Sequence, residues 1–528
     1  MWKMRSEGGI LAALVVFAGV GITPSLFGAS PTPVTPAKMP RVGTIDERFQ
    51  SFNIEMVEVT GGRFWAPYKK SANASEEPSA AKLSVPAGMD PSLYRYRSPI
   101  DLTNARLRKL AAALGPAYVR VSGTWANSTY FQDSDEAAPA APPTGFGSVL
   151  TRKDWKGVVD FAHAVDARIV ASFAVSGGVR NAEGVWTPDE AAKFLAYTKS
   201  IGGDIAAAEF FNEPTFATIG GAPKGYDGVA YGRDYKVFHT FAKANAPGMV
   251  ILGPGSVGET GLATGFTLVK TEDMLSQPGS EVDAFSYHFY GGVSKRCSRP
   301  GMGSQVTAEA ALSEDWLTRT NKDEAFYAAL RDKYEAGKPM WLTETGETAC
   351  GGDPWASSFI DSFRYLNQLG SLAKRGVQVV IHNTLAASDY ALIDESTLEP
   401  RPNYWAALLW RNLMGTTVLD AGPSGAPNLY LYAHCLRGRP GGVALLAINA
   451  DRSSAQELAI PTQSERFSLT SKDLLSNTVD LNGRELVLGA NDAFPEMKGE
   501  PVRAGKVSFA PASITFLAIP DAGNAACR

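Results

Sequence analysis

Two glutamates stand near the ends of apolar, strand-like runs of the sequence. Glu213 lies in the run Ala206–Pro214, and Glu344 lies in the run Pro339–Thr345. Barrel enzymes keep their catalytic groups at the C-terminal ends of such strands. Hydrolysis of an acetal needs one carboxyl to protonate the leaving oxygen and another to attack or stabilise the anomeric carbon. A separation of about 5–5.5 Å gives retention, and a wider gap gives inversion. The pair therefore predicts cleavage of a glycosidic bond.

Polar residues near these glutamates could complete such a site. Asn212 could hydrogen-bond a sugar hydroxyl, because it directly precedes Glu213. His288 and Tyr290, at the end of another apolar run, could donate hydrogen bonds to the attacking carboxylate. The proton donor needs a raised pKa, which burial and a neighbouring anion would supply.

Each of these residues also has an interpretation without catalysis. Asn-Glu-Pro is a common composition for a turn or helix cap. Glu344 could end an exposed strand, with Glu347 as a competitor for its role, and His288 could be a hydrogen-bonded core histidine. Glu209 lies an even number of residues before Glu213, so it would point to the same side of a strand but deeper. A structural role suits Glu209 better.

The elements that must position these residues alternate along the chain from about residue 51 to residue 410. Apolar runs alternate with amphipathic segments, which is typical of parallel βα units. Eight strands over this length predict the α/β class and a (β/α)₈ TIM barrel, with a doubly wound open sheet as the alternative. Glu213 is placed on the fourth strand and Glu344 on the seventh, across the barrel mouth from each other. The predicted strands are Phe52–Val57, Ala117–Val121, Ala167–Phe173, Ala206–Phe211, Val250–Gly253, Val282–His288, Met340–Glu344 and Val377–His382. The predicted helices are Leu102–Leu114, Asp154–Val165, Pro188–Ile201, Gly232–Ala244, Glu324–Tyr334 and Trp355–Arg375.

After about Leu413 the pattern changes to short strands among Gly, Pro and Asn turns. This change predicts an antiparallel β-sandwich appended to the barrel. We expect a catalytic barrel over residues 45–412 and a sandwich over 413–528. The predicted sandwich strands are Leu429–Ala433, Val443–Ile448, Arg484–Val487 and Ser513–Ala518.

The N-terminus has the pattern of a secretory signal peptide over residues 1–30. A basic start precedes the apolar stretch Ile10–Val20, which is too short to span a bilayer comfortably, although an uncleaved anchor is the alternative. A Pro-rich linker is predicted over 31–44. We expect a secreted or periplasmic protein with no membrane association after cleavage. A formal net charge of −4 gives no sign of a nucleic-acid partner and argues mildly against a densely sulfated substrate.

Four cysteines would then lie in an oxidising compartment: Cys297, Cys350, Cys435 and Cys527. Four cysteines allow three connectivities, and their spacing alone does not choose among them. The absence of a Cys-x-x-Cys pair and of paired histidines argues against a structural zinc site.

The ordered set of motifs resembles glycoside hydrolase family 79, the heparanase and β-glucuronidase family of the retaining (β/α)₈ clan. The resemblance runs from about residue 45 to the end of the chain. The Asn-Glu-Pro piece is shared by a whole clan, whereas the ordered set is specific. The matching motifs are Asn212–Pro214, Trp341–Thr345, Gly351–Gly352, Tyr118–Thr124, Ser286–Tyr290, Asp389–Asp394, Pro402–Trp405, Leu431–Cys435 and Ala525–Cys527.

The resemblance implies a role for several residues. Glu213 would be the acid/base, and Glu344, rather than Glu347, the nucleophile. Glu55 would bind sugar hydroxyls. Tyr390 and the backbone amides near Gly351 and Gly352 would hold the carboxylate of a glucuronic acid, since N–H groups bind an anion without adding charge. Cys435 and Cys527 would form the disulfide of the sandwich domain, which leaves Cys297 and Cys350 to pair over the rim of the site.

The chain also departs from the family pattern. Cys350 falls in a loop where the family usually has glycine or a similar residue, and His382-Asn383 ends the last barrel strand where a larger amide is expected. We include Asn383 among the substrate-binding residues. Basic residues near the expected cleft are scattered rather than clustered, which argues against cleavage of heparan sulfate.

These observations predict a secreted retaining β-D-glucuronidase that acts on glucuronic-acid-containing glycans and requires no cofactor and no metal. Exo action is favoured, because the stretch Gly291–Glu314 could close one side of the cleft. One alternative is an endo-acting, heparanase-like enzyme. Another is a non-catalytic carbohydrate-binding protein on a hydrolase scaffold. The sequence does not determine the oligomeric state.

Overall fold

Eight parallel strands close into a barrel in this computed structural model, which describes residues 32–68, 90–262, 266–298 and 306–528. The predicted TIM barrel is therefore confirmed. The predicted signal peptide lies outside the described residues. In chain order, the first to eighth barrel strands are Gln50–Glu55, Ala117–Ser122, Ala167–Ser172, Ile205–Glu209, Val250–Ser256, Ala284–Tyr290, Met340–Gly346 and Val377–His382.

Consecutive strands of the barrel pair in parallel, and the eighth strand pairs with the first. In seven of the eight strands every residue, or every residue but one, is buried, as expected for strands covered on both faces. The helices lie between and around these strands. They are Met56–Thr60, Ala105–Ala113, Arg152–Ala164, Asp189–Ser200, Gly228–Asn245, Thr271–Leu275, Glu314–Tyr334, Phe359–Lys374 and Pro402–Leu413.

Local sequence explains where several of these helices begin. Thr151 and Asp154 form a capping box at the start of Arg152–Ala164, in which each side chain accepts a hydrogen bond from the other residue's backbone N–H. Asn104 and Ser313 cap two other helices in a similar way, by accepting from backbone N–H groups. These caps fix the ends of the helices that support the barrel strands.

The C-terminal part of the chain forms a nine-stranded sheet and a separate three-stranded sheet. Pairing in the larger sheet is antiparallel, as predicted for this domain. Its strands are Arg41–Thr44, Met414–Leu419, Leu429–Leu436, Val443–Asn449, Ser513–Ile519, Ser464–Thr470, Asp480–Leu481, Arg484–Glu485 and Glu500–Val502. The smaller sheet contains Thr32–Pro33, Gln456–Ile460 and Gly505–Phe509.

Two strands of these sheets come from the stretch that the sequence predicts as a Pro-rich linker. Thr32–Pro33 pairs with Gln456–Ile460, and Arg41–Thr44 pairs with Met414–Leu419. Both N-terminal strands lie at sheet edges, where proline is tolerated because a missing N–H costs no ladder bond. The Pro-rich composition therefore did not indicate that parts of this segment are extended and hydrogen-bonded to the two sheets.

The helix Phe359–Lys374 connects the two parts of the molecule. Its residues from Phe359 to Ala373 are all buried, because it packs on the eighth barrel strand on one side and on Leu429–Leu436 on the other. A side chain at Gly370 would come within 2.3 Å of the ring of Tyr432, so only glycine permits this approach. The hydroxyl of Tyr432 donates to Asn367 Oδ1 of the same helix at 2.8 Å.

None of the helices in the described ranges combines the length and apolar character that a membrane span requires.

Candidate active site

Arg120, in the second barrel strand, is the centre of a buried polar cluster at the C-terminal end of the barrel. Its guanidinium donates to Glu344 Oε2 at 2.8 Å, to Glu209 Oε2 at 2.8 Å and to Asn212 Oδ1 at 2.8 Å. It also lies 3.2 Å from His288 Nε2. A buried guanidinium needs such partners, since an unpaired charge in the interior is very costly. One side chain thereby positions four residues that come from three other barrel segments.

Glu344 lies inside the seventh strand, Met340–Gly346, rather than at its last residue. Arg120 occupies one of its carboxylate oxygens, and Tyr290 donates to the other at 2.7 Å. Burial raises the pKa of Tyr290 well above its ordinary value, and the charge of Glu344 adds to this effect. The Tyr290 hydroxyl therefore keeps its proton and serves as a donor, as expected from the sequence.

Glu213 does not lie on a strand, which differs from the predicted placement. The fourth strand ends at Glu209, and Glu213 follows four residues later with a left-handed backbone, at φ 49°. Asn127 holds the preceding residue: its side-chain amide donates to Asn212 O at 2.9 Å and accepts from Asn212 N at 2.8 Å. This turn brings the Glu213 carboxylate 3.2 Å from His288 Nδ1.

The two glutamates meet across one opening. One carboxylate oxygen of Glu213, one of Glu344 and one ring nitrogen of His288 all lie within 4.8 Å of one another. Such a group could in principle hold a cation. Here the guanidinium of Arg120 already contacts both Glu344 and His288, so a metal ion would face an existing positive charge. The arrangement therefore favours ion pairs among these side chains over the binding of a metal ion.

The environments of the clustered groups move their pKa values in different directions. Burial raises the pKa of Glu213, and the charge of Glu344 adds to the increase, while the hydrogen bond from His288 opposes it. For His288, burial alone would lower the pKa, but the carboxylates of Glu344, Glu209 and Glu213 raise it to about 9. A carboxyl with a raised pKa in a cleft is suited to proton transfer.

Asn383 hydrogen-bonds three polar side chains at the opening. It directly follows the eighth strand, and its amide nitrogen donates to Glu55 Oε1 at 3.1 Å, Tyr290 Oη at 3.0 Å and Tyr390 Oη at 3.1 Å. Burial raises the pKa of Glu55 well above its ordinary value, and the nearby charge of Glu344 increases it further. Glu55 is therefore easier to protonate than an exposed glutamate.

These residues line a pocket of about 160 Å³. Of the residues expected to bind substrate, five belong to the lining: Glu55, Asn212, Tyr290, Asn383 and Tyr390. His288 lies behind the two glutamates, fully buried. The pocket lining also includes Trp65, Tyr94, Thr124 and Trp125.

Gly351 and Gly352 do not line the pocket, although the sequence places them among the binding residues. The lining at this point is formed by the two preceding residues, Ala349 and Cys350. The N–H of Gly352 donates to Thr348 O at 3.3 Å. Both glycines have positive φ, and a side chain on Gly351 would collide with Ser388 and Trp65. Their positive φ values let this loop turn tightly.

Sequence reasoning missed three residues that shape the site. Arg120 interrupts the apolar strand Ala117–Ser122, and a charge within a buried strand is a signal that partners must exist. Asn127 gives no such signal, because an asparagine after a strand usually indicates a turn. At Gly123, with φ 89°, an added Cβ would stand 1.5 Å from Glu55 Oε2, so only glycine admits that carboxylate.

Both disulfides suggested at the sequence level are present. Cys297 and Cys350 are bonded, which ties the loop after the sixth strand to the loop after the seventh. Cys435 and Cys527 are bonded with Cα atoms 5.3 Å apart, which ties the last residues of the chain to the larger sheet.

Residues 98–370 match the family described as glycosyl hydrolase family 79, N-terminal domain. This match covers more than half of the chain. A curated relative over most of the length is heparanase-like protein 1 of Arabidopsis thaliana, 26% identical over 496 residues, with 82% of this chain and 88% of that protein covered. The hyaluronoglucuronidase of Hirudo nipponia is 27% identical over 490 residues, covering 83% of this chain and 94% of that protein.

Among solved structures, a 4-O-α-L-rhamnosyl-β-D-glucuronidase from Fusarium oxysporum has a similar fold. Its TM-score is 0.59, its sequence identity is 13%, and the match covers 93% of this chain and 99% of that chain. At this identity the likeness concerns the fold, a barrel with an appended sheet domain.

Proposed function

Because this chain belongs to glycoside hydrolase family 79, we propose that it hydrolyses β-D-glucuronide bonds with retention of the anomeric configuration. One observation carries the proposal: carboxylate oxygens of Glu213 and Glu344 lie within 4.8 Å of each other across a single pocket. This separation suits the retaining mechanism, whereas inversion needs carboxyls about 6.5–9.5 Å apart to admit a water molecule.

In the proposed reaction, Glu213 protonates the leaving oxygen while Glu344 attacks the anomeric carbon and forms a glycosyl ester. Glu213, now a carboxylate, then takes a proton from the water that cleaves this ester. The raised pKa of Glu213 suits the first step, because the group must enter it protonated. Arg120 and Tyr290 each donate to one oxygen of Glu344 and so orient it for attack.

The polar side of the pocket would receive the sugar. We assign Glu55, Asn212 and Asn383 to the sugar hydroxyls and Tyr390 to the uronic carboxylate, because all four line the pocket next to the glutamates. His288 acts from behind them by hydrogen-bonding Glu213. Gly351 and Gly352 are left out of the binding set, since the loop presents Ala349 and Cys350 instead.

We propose exo action on glucuronic acid at a chain end, in an exported protein. The pocket of about 160 Å³ is smaller than the 300–1,000 Å³ of sites that enclose drug-sized ligands, which suits one sugar ring. Its described lining contains neither lysine nor arginine, which disfavours sulfated neighbours. The two disulfides favour an oxidising compartment. An endo-acting, heparanase-like enzyme is the second candidate, because one relative of this chain is named heparanase-like protein 1.

Hydrolysis of a chromogenic β-D-glucuronide by the wild type and by Glu344→Gln tests the activity. We expect the substitution to lower kcat by about four orders of magnitude or more, because the nucleophile is removed. An inert wild type that still binds glucuronides would instead support a carbohydrate-binding protein. Product sizing after digestion of a uronic-acid polysaccharide separates the two modes of action: release of monosaccharide alone supports exo action, and a ladder of oligosaccharides overturns it.

A further inference from the structure

The described lining of the pocket offers no cation to the carboxylate of a glucuronide. It contains neither lysine nor arginine but three glutamates: Glu55, Glu213 and Glu344. Arg120 and His288 lie behind the catalytic pair and already hydrogen-bond Glu344 and Glu213. An anion that enters such a pocket loses hydration and gains no opposite charge from the lining, which is costly. A cation behind the end of the pocket that contains Tyr390 would offset this cost.

Arg296 lies behind that end of the pocket. It follows the sixth strand, its side chain is 7% exposed, and its guanidinium donates to Asp389 Oδ2 at 2.7 Å. The guanidinium also donates to the backbone oxygens of Ala66 and Gly352, and its Cζ lies 4.0 Å from the centre of the Tyr68 ring. Its Nε has no hydrogen-bond partner among the described residues. The guanidinium is therefore buried, and the described protein does not use all of its donors.

Three residues of the pocket lining are adjacent to the partners of this guanidinium or bonded to its neighbour in the chain. Asp389 directly precedes Tyr390, and Ala66 directly follows Trp65. The residue after the arginine is disulfide-bonded to Cys350. One side chain therefore joins segments that follow three different barrel strands, the first, seventh and eighth.

The charge of Arg296 acts on the tyrosine that we assign to the uronic carboxylate. Burial and the charges of nearby glutamates raise the pKa of Tyr390 well above its ordinary value, whereas the charge of Arg296 lowers it. A positive charge that favours the anion of this hydroxyl also favours another anion beside it. The buried ion pair with Asp389 fixes the place of that charge.

We propose that Arg296 is the positioning residue for the uronic carboxylate: it holds Tyr390 through Asp389 and supplies the positive charge that the described pocket lining lacks. This inference rests on the proposed function and names a residue that favours a glucuronide over a neutral glycoside. Arg296 acts through Tyr390, since it is not part of the pocket lining. Loss of its charge should therefore reduce selection of the acid over a neutral analogue of the same shape.

Binding of two matched ligands tests the proposal: phenyl β-D-glucuronide and its primary amide, which differ in the charge of one group. Both are titrated by calorimetry at neutral pH into Glu344→Gln, which should bind them without hydrolysis. Adding Arg296→Gln should weaken binding of the glucuronide at least about tenfold and of the amide less than about threefold, because only the former is charged. Equal losses for both ligands, or no loss for either, would overturn the proposal.

Two further variants of the same Glu344→Gln protein separate charge from structure. Arg296→Lys keeps the charge but not the fork of donors, so the ratio of the two dissociation constants should stay within about threefold of the parent's. A folded lysine variant that loses this ratio would overturn the proposal even if Arg296→Gln does not fold. Arg180→Gln is the matched control, because Arg180 donates to Asp234 at 2.7 Å, is 5% exposed and does not line the pocket. It should keep the parent's ratio.

Hydrolysis of a chromogenic β-D-glucuronide by the wild type separates this inference from the function on which it rests. An active wild type whose Arg296→Gln variant loses acid and amide equally contradicts the role of Arg296 alone. An inert wild type contradicts the proposed hydrolysis, whereas a ratio that still depends on Arg296 would support the carboxylate site. A protein that binds neither ligand contradicts both.

Discussion

Glu209 and Glu213 are four residues apart and belong to the same segment, yet their surroundings drive their pKa values in opposite directions. Burial by itself would raise the pKa of both carboxyls. At Glu209 the charge of Arg120 and hydrogen bonds from His288 and Thr343 outweigh burial, and the pKa falls far below its usual range. At Glu213 burial and the charge of Glu344 prevail, and the pKa rises.

The comparison shows that the hydrogen-bond and charge partners of each carboxyl decide the direction of its pKa shift. Glu209 is the last residue of a strand and points into the barrel, where Arg120, Ser286 and Thr343 all donate to it. Glu213 has left the strand and receives one hydrogen bond, from His288. The same residue type thus suits a fixed anion in the barrel and, in the proposed reaction, a proton carrier in the pocket.

The largest effect should come from removing Glu213, the proposed proton carrier. Glu213→Gln keeps the shape of the side chain but cannot transfer a proton, so we expect kcat for a glucuronide with an alkyl leaving group to fall by about 10²–10⁴-fold. The loss should be much smaller with a leaving group that departs without protonation. Steady-state rates on both substrate types measure the difference. Equal losses on both would contradict the acid role.

Arg120→Met removes the charge that distinguishes Glu209. Two buried carboxylates then lose their partner, and we expect a loss of about 3–5 kcal/mol in the free energy of unfolding. Chemical denaturation measures it. Arg364→Met is the matched control, because Arg364 also makes a buried ion pair, with Asp361 in the helix Phe359–Lys374. It should destabilise similarly but retain more activity per folded molecule. Equal specific activities of the two variants would argue against a positioning role for Arg120.

His288→Gln should change the pH dependence of both activity and stability. The hydrogen bond and charge of His288 lower the pKa of Glu213, so their removal should move the alkaline limb of the kcat/KM profile to higher pH. Because the pKa of His288 in the folded protein is raised to about 9, its stabilising contribution is complete below its unfolded pKa, about 6.5, and is lost as pH rises through about 9. The stability difference between wild type and variant should therefore shrink over that window.

His163→Gln is the control for this experiment, since His163 is exposed at the end of the helix Arg152–Ala164. Its pH–rate profile should coincide with that of the wild type. An alkaline limb in His288→Gln that stays in place, or moves to lower pH, would show that His288 does not act on Glu213.

The smallest effect should come from Glu347, the acid that competes with Glu344 in the sequence. Glu347 is fully buried, and burial and the nearby Asp353 and Asp361 raise its pKa well above the ordinary value. Glutamine keeps the shape of this side chain, and Glu347 is not among the residues that line the pocket, so Glu347→Gln should change kcat by less than about twofold. A loss comparable to that of Glu344→Gln on the chromogenic glucuronide would reopen the assignment of the nucleophile.

The barrel strands could be predicted from the sequence because each is a short apolar run with a helix behind it. All eight predicted strands overlap the observed ones; Val377–His382 coincides with its observed strand, and the other seven differ by one to three residues at one or both ends. Positions where the chain leaves a regular strand could not be predicted in this way. Glu213 was placed on a strand because an apolar run reaches it, whereas the strand actually ends at Glu209 and the chain turns with a positive φ.

The sequence alone determined the eight-stranded barrel, the antiparallel sheet domain and the two glutamates, because period, turn composition and motif order are local properties. The tertiary structure decided the contacts between distant segments, which the sequence pattern does not show. It placed Arg120 between Glu209 and Glu344, used Asn127 to hold the turn before Glu213, and left Gly351 and Gly352 out of the pocket lining. Charge pairing and close approach depend on distances between segments far apart in the chain, and only the closed barrel sets those distances.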